Sequence, residues 1–194
     1  FFFKHKTAYE MLRSLVGSEM CIRDRYITRG DLVDMNVHKS LKDAGVIFEV
    51  IDCDPSFADT AEFCNHYGYL PEESANAILL EGRAEKSVYA LCVVLATTRI
   101  NVNKVARKRL GTRKASFARA EKTKELTGME IGGVTPVGLP EDIPIWIDDL
   151  VMKIPKVIIG GGSRKAKIYL APESLLKFPN THVVEGLSMP MVIK

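Results

Sequence analysis

The segment Thr127–Gly138, TGMEIGGVTPVG, holds the residues best suited to chemistry. Its paired glycines let another group approach the backbone, its proline fixes the local path, and its exposed N–H groups can hold a carbonyl or a phosphate. The same pattern also describes a tight turn between two strands. Four cations, Lys104, Arg107, Lys108 and Arg109, follow one face of a predicted helix. Such a run is either a solvated surface or a track for a nucleic-acid backbone. Asp148 ends the apolar run Ile145–Ile147, where a carboxylate can face a cleft or cap a turn beside Asp149.

Other constellations argue against particular chemistries. Gly160–Arg164, GGGSR, lacks the spacing and the Gly-Lys-Ser/Thr ending of a phosphate loop, and no helical pattern follows it, so it reads as a hairpin turn. The four cysteines, Cys21, Cys53, Cys64 and Cys92, form no CxxC pair and sit in apolar contexts. They are expected to be reduced thiols in a cytoplasmic protein. The histidines are scattered, so neither a metal site nor a Ser–His or Cys–His nucleophile can be assembled. No cofactor is expected.

The elements that must position these residues alternate along the chain. Asn36 is placed to cap a helix with Val37, Leu41 and Ala44 on one face, ended by Gly45. Val46–Asp52 reads as a strand, and Asp59-x-x-Glu62 as a capping box opening a helix through His66 that Gly68 closes. Ala77–Leu80 and Tyr89–Ala96 are strands, and the second lacks alternation, which predicts a central strand covered on both faces. Asn101 or Asn103 caps the basic helix, with Val102, Val105, Ala106 and Leu110 inward and Gly111 as the stop. A helix over Ala120–Thr127 ends at Gly128 and delivers the chain into the glycine-proline segment. Strands follow at Pro144–Asp148, Lys156–Ile159 and Lys165–Leu170, then a short helix Pro172–Leu176 and a last strand His182–Glu185. Hairpins mixed with helical crossovers predict a mixed α/β sheet.

At 194 residues, with 46% hydrophobic and 26% charged residues, the chain can bury one sizeable core, and no apolar run is long enough to span a bilayer. The stretch Leu15–Arg25, LVGSEMCIRDR, looks like a translated sequencing adapter, so residues 1–25 are expected to be a non-native or disordered extension rather than an amphipathic helix over Thr7–Val16. Without them the formal charge of +3 falls to about +1, so bulk charge does not argue for nucleic-acid binding. The remainder, 26–194, is read as a single domain.

Three pieces in order carry a resemblance: VNKVARKRLG, then SFARAEKTKELTGMEIGGVTPVGLP, then IPIWID with VIIGGGSRKAKIYLAPESLL after it. Over roughly residues 36–187 the chain resembles the YbaK/ProX family of aminoacyl-tRNA editing domains. The resemblance implies a mixed sheet curled into a partial barrel with helices outside. It also implies hydrolysis, in trans, of the ester joining a wrong amino acid to the tRNA 3′ end. A synthetase pocket discriminates poorly against similar or smaller amino acids, so a second site must clear the error. The implied partner is the acceptor end of a mischarged tRNA, with a synthetase as a further partner and no membrane. In the family the glycine-proline loop grips the aminoacyl group through its backbone, which places Gly132 and Gly133 at the reaction. Thr135, Pro136, Gly138, Asp148, Gly161 and Ser163 are then expected to bind substrate, and Lys104, Arg107 and Lys108 the tRNA. The attacking group would be water, assisted by the substrate's ribose hydroxyl.

One position departs from the family. Where its members carry a lysine thought to anchor the tRNA terminus, SANAILL has Asn76, which hydrogen-bonds but brings no charge. Lys86 or Lys104 is the cation expected to replace it. The departure leaves a second reading, an editing-like domain that binds aminoacyl-tRNA or a nucleotide conjugate without turnover. A third is a domain recruited for protein–protein contact.

Overall fold

The computed structural model describes residues 32–191, so the segment 1–25, with Cys21, lies outside the described residues. Helix α1 (Met35–Asp43) buries Val37 and Leu41 on one face, as their spacing requires. Its cap is Asp34, not Asn36: the chain turns helical at Met35, and the Asp34 carboxylate accepts from the amides of Asn36 and Val37 at 2.9 and 3.3 Å. Strand β1 (Phe48–Asp52) leads to helix α2 (Thr60–Tyr67), which ends at left-handed Gly68. The expected capping box does not form there. Asp59 makes no side-chain cap, and its carboxylate lies 3.7 Å from the Arg164 guanidinium.

Strands β2 (Ala75–Arg83) and β3 (Val88–Leu95) form the long central hairpin. They belong to a five-stranded sheet ordered β5-β2-β3-β6-β9, with β5 at Lys114–Phe117, β6 at Ile145–Asp148 and β9 at Thr181–Val184. The β5, β2 and β3 pairings are antiparallel, while β3–β6 and β6–β9 are parallel. As its uniform apolarity predicts, β3 is central and covered on both faces. Leu91, Val93 and Leu95 enter one hydrophobic cluster, and Ala90, Cys92 and Val94 enter another on the opposite side.

Strands β7 (Val157–Gly160) and β8 (Ala166–Leu170) form the hairpin expected around the glycine turn, and with β1 they make a three-stranded sheet ordered β1-β8-β7. Two short strands, β4 (Thr98–Ile100) and β10 (Ser188–Pro190), pair separately. With β5, they are the strands the sequence did not reveal, being three or four residues long and dependent on distant partners. The basic segment is a π-helical turn, Val102–Ala106, running into one α-helical turn, α3 (Arg107–Arg109), capped by Asn101. Helix α4 (Ala120–Thr127) has the predicted bounds. The mixed α/β class thus holds. The implied curling does not appear among the described residues: the strands divide into three sheets with no closed or curled barrel, and a single parallel bridge, Ser74 to Ile158, links the two larger ones.

The two larger sheets approach where glycine backbones cross. A Cβ on Gly160 would stand 2.3 Å from the Val134 carbonyl oxygen and 2.4 Å from that of Gly133. One on Gly133 would stand 2.3 Å from the Ser163 oxygen. Backbone cannot retreat as a flexible side chain can, so these positions require glycine on contact grounds alone. Gly160→Ala is therefore expected to destabilise the chain by about 1–3 kcal/mol, the usual cost of overpacking. Thermal unfolding should show a fall of about 3–10 °C in Tm, and an unchanged Tm would refute the contact argument.

Candidate functional site

A cavity of about 410 Å³ opens beside this crossing. Its walls are the N-terminal end of α2 (Asp59, Thr60), the first half of β2 (Asn76), the start of α4 (Ala118, Thr123) and the loop around Gly132. Lys167 of β8 reaches into the same cavity.

Lys167 is the residue that sequence reasoning missed. It is only 5% exposed, and its ammonium donates to the carbonyl oxygens of Ala58 at 2.5 Å and Gly132 at 2.7 Å. It also lies 5.6 Å from the Phe63 ring centroid. Arg164, three residues earlier, repeats the arrangement at the rim. Its Nε and Nη2 donate to the Pro55 oxygen at 3.1 and 2.7 Å, and its Nη1 to the Ile131 oxygen at 2.9 Å. Two cations from the β7–β8 hairpin thus clamp the segment 55–58 to the glycine-proline loop. The only local signal was a lysine inside the apolar strand AKIYL, directly after a glycine turn.

Neither expected replacement cation is in the cavity. Lys104 lies along a separate shallow groove beside the basic helix, and Lys86 is exposed on the turn between β2 and β3. Of the residues singled out from sequence, Asn76 and Gly132 come together here. The Asn76 Oδ1 accepts from the Thr60 hydroxyl at 2.6 Å, which fixes its amide in the wall.

The other candidates sit around this wall. Gly133 donates to the Glu130 oxygen and accepts from Gly162, so its amide is committed within the loop. Thr135 and Pro136 are buried below it, with the Thr135 hydroxyl unpartnered. Gly138 packs on the first turn of α1, and Gly161 accepts from the Asp34 amide at 2.9 Å. The Ser163 hydroxyl donates to the Leu32 oxygen at 2.6 Å. Asp148 is fully buried and accepts from the Leu150 and Ser188 amides at 3.2 and 2.7 Å, the turn-capping alternative. Lys104 and Lys108 share one groove, whereas Arg107 faces another.

The cavity is rich in donors. No side chain caps α2, so its first-turn amides are free of that competition, and the Gly132 amide has no hydrogen-bond partner among the described residues. With the Lys167 ammonium, partly offset by the Asp59 carboxylate of the same wall, these groups favour a carbonyl oxygen. No histidine or cysteine lines the cavity, and among the described residues no three His, Cys, Asp or Glu side chains cluster to hold a metal. Cys53, Cys64 and Cys92 are free and buried, and burial pushes the Cys92 thiol up to about 12.

Burial depresses the Lys167 pKa below the usual lysine value, opposed by the nearby Cys53 and Asp59. A lysine whose folded pKa is lowered holds fewer protons than in the unfolded chain, so its contribution to stability rises with pH. The window runs from the lowered value up to 10.5. The neutral amine still has two N–H groups for its two carbonyls. Denaturant titrations of the wild type and Lys167→Met should therefore diverge in the wild type's favour as pH rises through that window. A constant difference would contradict a depressed pKa.

Comparison with known proteins agrees with this architecture. A profile of the family described as "Aminoacyl-tRNA editing domain" matches residues 54–178, more than half of the chain. The chain is 28% identical over 130 residues to the uncharacterised protein YwhH of Bacillus subtilis, covering 67% of this chain and 80% of that one. It is 25% identical over 95 residues to EbsC of Enterococcus faecalis, described as a candidate Cys-tRNA(Pro)/Cys-tRNA(Cys) deacylase, covering 49% of this chain and 57% of EbsC. Among solved structures, the hypothetical protein APE2540 superposes with a TM-score of 0.71 at 25% identity, over 79% of this chain and 99% of its own. A candidate trans-editing enzyme for prolyl-tRNA synthetase gives a TM-score of 0.66 at 25% identity, over 77% and 93%. With its mixed sheets, its glycine crossing and a match running from Asp54 to Phe178, the chain belongs to the YbaK-type aminoacyl-tRNA editing domain family.

Proposed function

We propose that this chain hydrolyses the ester of a mischarged aminoacyl-tRNA in trans, with residues 26–194 acting as one editing domain. The observation that carries the reading is the buried Lys167 ammonium in the cavity that Asn76 and Gly132 line. Asn76 brings no charge to the wall, and Lys167 supplies it from β8. The aminoacyl group occupies the cavity of about 410 Å³, a size suited to a small ligand. Its ester carbonyl lies against the Gly132 amide and the uncapped start of α2, donors whose attraction grows as the oxygen becomes an oxyanion. As the family resemblance implies, water is the attacking group, assisted by the ribose hydroxyl of the substrate, and the wall carries no histidine or cysteine to compete with it. Thr135, Pro136, Gly138, Gly161, Ser163 and Asp148 act at one remove, shaping the loop and hairpin that carry Gly132 and Lys167.

Asn76, tied to Thr60, favours a second reading in which the domain holds aminoacyl-tRNA without cutting it. A panel of mischarged tRNAs, including Cys-tRNA(Pro), separates the two. Release of amino acid from at least one member is expected. Lys167→Met should slow it by about 10–1,000-fold, the scale for losing one electrostatic group at a reacting centre. Asn76→Lys should not be needed for turnover. Tight binding with no release by the wild type, and release only after Asn76→Lys, would establish the second reading instead.

A further inference from the structure

Beyond the cavity, the edge strand β5 leads to a second concavity of about 470 Å³, whose wall includes Arg83, Arg107, Arg113 and Lys114 and no acidic residue. Among the described residues none of these four cations is in an ion pair, although opposite charges elsewhere on the surface do pair. Arg107 is fixed in this groove by its own bonds. Its Nε donates to the Asn103 oxygen at 3.0 Å and its Nη1 to the Arg113 oxygen at 3.2 Å. Four unpaired cations held together repel one another, and a chain of phosphates relieves that repulsion.

Between the two along the chain comes Phe117, the last residue of β5, 58% exposed and lining neither concavity. Ser116 lines the groove on one side of it, and Ala118 lines the cavity on the other. Register places Arg83 opposite Lys114 and Leu80 opposite Phe117, so the path from groove to cavity follows the β2–β5 pair. From Lys114 to Ala118 it covers about 13 Å at the usual rise of a strand. A large exposed aromatic beside a basic groove is the arrangement that holds unstacked bases, since every base offers a π-face.

We infer that β5 is a docking strip for single-stranded RNA, with phosphates in the Arg83–Arg107–Arg113–Lys114 groove and a base stacked on Phe117. The inference rests on the cavity being an aminoacyl-tRNA editing site, and it identifies which nucleotides reach the surface, namely the unpaired ones preceding the ester. It also divides the basic segment. Arg107 belongs to the strip, whereas Lys104 and Lys108 line a groove on the far side that Glu185 shares.

Fluorescence anisotropy of the full chain with a labelled 12-nucleotide RNA ending in CCA, across a salt series, tests this. Phe117→Ala should weaken binding roughly 5- to 100-fold with an unchanged salt slope, and Phe117→Tyr should retain it. The pair Arg113→Ala/Lys114→Ala should reduce the salt slope by about 1.4, the value for two phosphate contacts on a single strand. Lys104→Ala/Lys108→Ala should leave affinity within about twofold of the wild type, because those residues lie outside the strip. Wild-type affinity and slope in the Phe117 and Arg113/Lys114 variants would overturn the inference, as would equal binding of a duplex RNA that is insensitive to Phe117. A parallel deacylation assay keeps the two readings apart. RNA binding that needs Phe117 without hydrolysis of any mischarged tRNA sinks the editing reading and leaves the strip. Hydrolysis with a KM unaffected by Phe117→Ala does the reverse.

Discussion

The site depends on carbonyl oxygens being brought together and then neutralised. Gly133 and Gly160 let two backbones cross at a separation that no side chain permits. Beside the crossing the carbonyls of Ala58 and Gly132 meet one ammonium, and a buried carbonyl left without a donor would cost about 1–3 kcal/mol. Lys167 removes that cost by donating to both, and Arg164 ties Pro55 to Ile131 at the exposed rim. The same pair therefore fixes the shape of the loop, while Lys167 and Asp59 are the charged groups in the cavity wall. A lysine used in this way cannot be regarded as a purely catalytic or a purely structural group.

This arrangement also accounts for the neutral residue in the wall. An ammonium at position 76 would share the small cavity with Lys167, and two like charges at that distance raise the energy of both. Asparagine avoids the repulsion and keeps a donor and an acceptor, one of which engages Thr60. Lys167 brings a cation into the cavity from β8, across from the Asp59 carboxylate at the start of α2.

Much of the fold could be read along the chain because it rests on local rules. Helix α4 and its left-handed Gly128 stop, the covered strand β3 and the β7–β8 hairpin all lie where periodicity and glycine placement put them. One misreading is local and the others depend on distant partners. Asp34 took the cap expected of Asn36, Asp59 turned to Arg164 instead of capping α2, and β4, β5 and β10 formed only because remote strands were available to pair.

Residue order alone carried the resemblance to the family, the glycine-proline loop as the organising segment and the uncharged Asn76, because each is a property of neighbours in the chain. It could not show that Lys167, 91 positions after Asn76, fills the same cavity, or that Gly132 faces that cavity while Gly133 is committed to packing. Those outcomes were decided in three dimensions, since burial, hydrogen-bond saturation and charge pairing arise only when separate sheets meet.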